Sequence, residues 1–244
     1  MIRLVRAELL KLGTTRLFLW LGLMILALSA FVTSTRIAST SHLQLASMSE
    51  QRSIAQFAAI GAIVAVIVGI VESAGEYAHG TIAHTFLVTP VRERVVAAKL
   101  IAGAIAGMLV AGFAELVTWS IAAVWLEGKS VPFELATRTV LDTYLGILGA
   151  GALAAVIGVG IGALFRRQTA AIVLALIWLL VGEPVLSIAN VQEYAPGHAI
   201  AAVASPVTPT SELLDFWPGL LVALAYAAVF ALAGAVAVDR SDVN

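Results

Sequence analysis

The chain has 244 residues, of which 61% are hydrophobic and 12% charged, with a formal net charge of −1. Soluble domains run at about 45–50% apolar and about 25% charged, so this composition excludes a soluble enzyme, a basic nucleic-acid binder and a disordered chain. There is no cysteine, which removes disulfides, thiolate metal sites and a cysteine nucleophile.

A membrane helix needs roughly 20 mostly apolar residues. Six such runs lie at about 17–34, 54–71, 95–126, 143–165, 169–189 and 216–238. They are continuous rather than alternating, so they read as helices and not as barrel strands. The third is too long for a straight span and is expected to tilt or to project beyond the lipid. Residues 1–244 read as a single transmembrane domain without a hydrophilic domain.

Ahead of the first run, Arg3, Arg6, Glu8, Leu9, Leu10 and Leu12 suit an amphipathic helix lying on the membrane, although a basic stretch before an apolar run also imitates a signal peptide. With six spans both termini share one side. That side holds Arg3, Arg6, Lys11, Arg16, Arg92, Arg94, Lys99, Arg166, Arg167 and Arg240, against Arg36, Arg52, Lys129 and Arg138 on the other. The excess predicts cytoplasmic termini.

Between spans two and three, on the basic side, the chain reads Glu72, Glu76, Gly80-Thr81, Ile82, Phe86-Leu87, Thr89-Pro90, Arg92, Arg94 and Lys99. Gly80-Thr81 reads as a turn, with Thr81 as helix N-cap. Ile82, Phe86 and Leu87 give a short apolar face, and Thr89-Pro90 ends that helix because a residue before proline avoids the α region. This is either a short interfacial helix suited to passing force from a soluble partner, or a solvated loop.

Glu115 falls inside span three, and Glu183 falls in Gly182-Glu183-Pro184 of span five. A carboxylate within a helix bundle is a functional candidate by default. Glu115 reads as a substrate-path residue or a structural hydrogen-bond acceptor, and Glu183 as structural or part of an outer gate. Pro184 should kink or break its helix. Gly103 with Gly107, and Gly158 with Gly162, permit close helix approach, within one subunit or at a dimer seam. The histidines lack the spacing of a zinc-protease helix, and the four aspartates fall at span edges or beyond, so no metal or proteolytic site is expected.

The elements Glu76, Gly80-Thr81, Leu87, Pro90, Arg92, Arg94 and Lys99, with Arg6-Ala7-Glu8-Leu9-Leu10-Lys11-Leu12 and Thr15-Arg16 before span one, resemble the type-2 kind of bacterial ABC exporter permease. The last outer segment, with Tyr194-Ala195-Pro196-Gly197 and Pro206, is similar to the short helices before that family's final span. The resemblance implies an all-α integral membrane protein with six transmembrane helices. It also implies an interfacial N-terminal elbow helix carrying Arg6, Glu8 and Lys11, and a short cytoplasmic coupling helix between spans two and three. It further implies that Glu76, Gly80, Thr81, Phe86, Leu87, Pro90, Arg92 and Arg94 contact a separate ABC-type ATPase. The partners would be that ATPase, a second permease (the same chain or a sister) and membrane lipids, with no nucleic acid, in the bacterial cytoplasmic membrane. The cargo would be drug-, peptide- or lipid-like.

A phosphate loop requires G-x-x-x-x-G-K-[ST]. The nearest match, Gly128-Lys129-Ser130, has Ala123 where the first glycine belongs. ATP and Mg are therefore expected in the partner, with no cofactor bound by this chain. The alternatives are an ion-coupled carrier or small channel using Glu115 and Glu183, and a membrane enzyme or assembly subunit.

Overall fold

The computed structural model describes residues 1–132, 138–205 and 213–240. Pro206 lies outside the described residues. Among these the chain is helical, with no strand.

The helices are α1 (Ile2–Thr14), α2 (Leu17–Ser39), α3 (His42–Leu45), α4 (Met48–Ala55), α5 (Ile60–Ala78), α6 (Ile82–Val88), α7 (Arg92–Gly128), α8 (Arg138–Phe165), α9 (Gln168–Ile177), α10 (Glu183–Leu186), α11 (Pro196–Ala204) and α12 (Phe216–Asp239). Six segments are long and apolar enough to cross a membrane: Phe18–Ser39, Met48–Ala78, Arg92–Gly128, Leu141–Phe165, Gln168–Ala189 and Phe216–Asp239. The end of the bundle that carries α1, α6 and the end of α12 is the basic end, and the opposite end is the far end.

α8 occupies the middle, packed by α5, α7, α11 and α12. Its core with α5, α11 and α12 is built from small and branched residues, including Ala65, Ile147, Ala154, Ala199 and Ala223. α2 lies along α7, and α9 touches the edge of α5. Close approach of α7 and α8 depends on Gly107, where a Cβ would overlap the Gly151 carbonyl of α8. Gly158 and Gly162 face the backbone of α5 in the same way. Both glycine pairs therefore serve packing within this chain.

The second span is longer than its apolar run suggests. It extends from Met48 through a 3-10 turn at Gln56–Ala59 to Ala78, instead of 54–71. At its start Gln51 donates to the carbonyls of Leu45 and Pro132, and Arg36 pairs with Glu50 at 2.7 Å. At its end the helix continues past Glu72 and Glu76 because cations from other helices meet it there. The third span, at 37 residues, is about 55 Å long at about 1.5 Å per residue, well beyond a hydrocarbon core of roughly 30 Å.

Pro184 does not break its helix, which runs on to Ala189: a π turn at Trp178–Gly182 precedes the proline, and the Glu183 N–H bonds to the Trp178 carbonyl. The wider winding accommodates a ring that would clash with the carbonyl four residues earlier.

Candidate functional site

α1 turns its acid toward the protein. Glu8 and Leu12 are buried against the bundle, while Ile2 and Leu10 are exposed. Lys11 Nζ lies 2.7 Å from Glu8 Oε1 and 2.6 Å from Glu76 Oε1. Lys99 Nζ lies 2.7 Å from Glu8 Oε2 and 3.1 Å from Glu76 Oε2. Two carboxylates and two ammonium groups thus alternate in a closed ring that joins α1, α5 and α7. Alternation is what makes burial tolerable, because each desolvated charge keeps two opposite neighbours.

Burial works against the Lys11 ammonium, yet its hydrogen bonds to Glu76 and Glu8, and their charges, outweigh burial and hold its pKa above the ordinary lysine value. Lys99 also donates to the Glu72 carbonyl at 3.3 Å. The Glu72 carboxylate itself packs against Gly103, where a Cβ would crowd it, and has no hydrogen-bond partner among the described residues.

α6 reaches the same ring. Thr85 Oγ1 donates to Glu76 Oε1 at 3.4 Å. The connection from α5 to α6 is a Schellman turn: Gly80 has φ +68, its N–H bonds to the Tyr77 carbonyl, and the Thr81 N–H bonds to the Glu76 carbonyl at 2.9 Å. Thr81 occupies the N-cap position but makes no side-chain cap, because its hydroxyl points back to the Glu76 carbonyl. Thr89 leaves the α region ahead of Pro90, with φ −131 and ψ 89, as the proline requires.

The apolar face expected of Ile82, Phe86 and Leu87 divides. Ile82 is buried and Phe86 packs on Val96, Ala163 and Val238, whereas Leu87 and Val88 are 79% and 84% exposed. Residues at i and i+4 share a helix face, so Ile82 and Phe86 point inward and the next residue points away.

Arg92 acts within the chain. Its Nη1 donates to the carbonyls of Val238 and Asp239 at 3.0 and 2.8 Å, and its guanidinium lies 5.2 Å from the Phe86 ring centroid. Arg166 donates to the Ala237 carbonyl at 2.5 Å and sits over the Tyr77 ring. The two arginines donate to carbonyls in the last turn of α12, where cations are favoured. Arg6 and Arg94 are exposed.

Glu115 and Glu183 stand apart from the ring. Glu115 is 1% exposed, takes a hydrogen bond from Trp119 Nε1, and keeps Oε2 without a hydrogen-bond partner among the described residues. With Thr118 on α7, and Ser29 and Thr33 on α2, it forms a buried polar stretch. That stretch lies between an apolar cluster containing Ile25 and Ala114 and another containing Ile37 and Ala122. Glu183 accepts from Gly197 N at 2.6 Å and from His198 Nδ1 at 3.0 Å, so it closes the N-terminus of α11. Among the described residues no group of three or more His, Asp or Glu is arranged to hold a metal ion.

The structure therefore brings Glu8, Lys11 and Glu76 together, and sets Phe86 and Arg92 against each other and against the end of α12. Sequence reasoning had set Lys99 at the interface and missed its place in the ring. The signal was present, since a lysine eight residues into α7 among Val95, Val96, Ala98 and Leu100 requires a carboxylate partner.

A family model described as ABC-2 family transporter protein matches residues 4–182. No curated protein matches the chain.

Proposed function

We propose, because this chain belongs to the ABC-2 transporter family, that it is the membrane-spanning subunit of an ATP-driven exporter. In this reading both termini are cytoplasmic and the membrane is the bacterial cytoplasmic one. A separate ATPase, holding ATP and Mg, docks at the basic end, and a second permease completes the path for a drug-, peptide- or lipid-like cargo.

One observation carries the reading: the single carboxylate of Glu76 is met by Lys11 of α1, Thr85 of α6 and Lys99 of α7. A push on α6 or α1 is thereby delivered to the ends of spans two and three. α7 is one continuous helix, so displacement of its first turns carries to the far end. Leu87, Val88, Pro90 and Arg94 are exposed beside this linkage and give the ATPase an apolar contact with a cationic edge. The ion-coupled alternative draws on Glu115 and Glu183, of which Glu183 already accepts from Gly197 and His198 of α11.

The test is purification of the native chain from its own membranes in mild detergent, with mass spectrometry of what accompanies it. A stoichiometric ATPase is the expected result. A chain that purifies alone across several detergents overturns the exporter reading and directs attention to Glu115.

A further inference from the structure

A cavity of about 1060 Å³ lies among α2, α5, α8, α9, α11 and α12. It sits at the upper end of the volumes of small-molecule sites, about 300–1,000 Å³, and exceeds what an ion requires. Its wall changes along its length. Toward the basic end it is formed by Ile67, Ile161, Phe165 and Phe230, all apolar. At the far end Glu183 and His198 enter the wall, and among the described residues no lysine or arginine lines it. The sequence beyond α10, residues 190–215, carries Glu193, Glu212 and Asp215 and again no lysine or arginine.

We propose that this cavity binds a cationic amphiphile, with an elongated apolar body along α5 and an amine-bearing head at Glu183. The length of apolar wall selects the body. Charge selects the head. The N-terminus of α11 would favour an anion, but the Glu183 carboxylate already occupies it through the Gly197 N–H. An arriving anionic head meets that carboxylate in an apolar setting where, among the described residues, no lysine or arginine lines the wall and His198 Nδ1 is already taken up by Glu183 Oε2, and like charges there repel strongly. An ammonium head meets a buried carboxylate with remaining acceptor capacity. The inference rests on the exporter reading only in making this amphiphile the cargo; binding does not depend on it.

Trp178 lines the cavity and reports on it. The full chain is placed in nanodiscs of zwitterionic lipid, and its tryptophan emission is titrated with a dibrominated alkylamine and with the dibrominated fatty acid of equal length. Saturable quenching is expected with the amine, about tenfold tighter than with the acid. Trp178→Phe removes the saturable part. Glu183→Gln, which still accepts from Gly197, removes the preference for the amine. Because Glu183 also positions α11, a second variant is needed: Ala201→Phe narrows the cavity without touching that contact, and it weakens saturable quenching by the amine while the melting temperature stays unchanged. Equal quenching by the two heads, or amine quenching unaffected by Ala201→Phe, overturns the proposal. The two readings separate cleanly. Amine binding without a co-purifying ATPase leaves the site and removes the exporter. A co-purifying ATPase with no discrimination between heads does the reverse.

Discussion

Lys99 of α7 holds Glu8 of α1 at 2.7 Å, across 91 residues of sequence, and both side chains are almost fully buried. The pair is the tie between the helix that precedes the first span and the helix that forms the third. Breaking a buried ion pair by removing one partner costs about 3–5 kcal/mol, because the other charge is left desolvated and unpaired. Lys99→Met is therefore expected to lower the thermal unfolding midpoint in detergent sharply and to open α1 to protease at Arg3 and Arg6. Adding Glu8→Gln to Lys99→Met removes both charges of the pair, leaves Lys11 with Glu76, and should recover part of the loss. A Lys99→Met protein with an unchanged midpoint and a protected α1 would show that the ring is not what holds the helix down.

Lys11 gives the same ring a pH signature. Its pKa is raised on folding, so its contribution is fully present below the ordinary lysine value of 10.5 and is lost as pH rises through the raised folded value. Attachment of α1 should be constant from neutral pH to that region and weaken above it. Its side chain is 47% exposed, so the effect is a modest, solvent-screened one. The measurement is the unfolding midpoint against pH for the parent and for Lys11→Met. The variant starts lower and lacks the alkaline loss attributable to this group. Parallel curves would remove Lys11 from the account.

The six spans were legible as apolar runs, because the bilayer demands them and little else satisfies that demand. Their ends were not. The second span stops at 71 if Glu72 is read as the start of water, but it runs to Ala78 because Lys11 and Lys99 come from 65 and 23 residues away to neutralise Glu76. Glu8, Lys11 and Glu76 each stood out by type and position, while their closure into a ring depends on how α1 folds back on the bundle. Glu183 shows the same limit: its partners sit 14 and 15 residues on, in α11 beyond the end of its own helix. Leu87 was grouped with Phe86 because seven residues hold too few turns to define one face; the packing of Phe86 on Val238 decides it.

Gly107 tests the packing of α7 on α8. A methyl group there must displace the Gly151 carbonyl and the Ala155 side chain, so the two helices cannot keep their separation. Overpacking in a well-packed core costs about 1–3 kcal/mol. Gly107→Ala is expected to lower the unfolding midpoint by that order, while Gly13→Ala, which meets nothing within 4 Å, leaves it unchanged or slightly raised. Equal midpoints for the two variants would mean that α7 and α8 do not approach as closely as described.

Leu87 separates partner contact from stability. It is 79% exposed and takes no part in the apolar cluster beneath α6, so the fold gains little from it. Phe86, its neighbour, packs inside and lies against Arg92. Surface substitutions away from structural features usually change stability by less than about 0.5 kcal/mol. Leu87→Asp is accordingly expected to leave expression and the unfolding midpoint unchanged while the ATPase is lost from the mild-detergent pull-down. Phe86→Ala should cost less stability than the about 3–5 kcal/mol of a fully buried phenylalanine, because the ring is only partly buried, and lower the midpoint accordingly. Retention of a stoichiometric ATPase on Leu87→Asp would move the docking surface off α6. Since α1 is the other element tied to Glu76, the same pull-down on Leu10→Asp, also an exposed position, then decides whether α1 carries the contact instead.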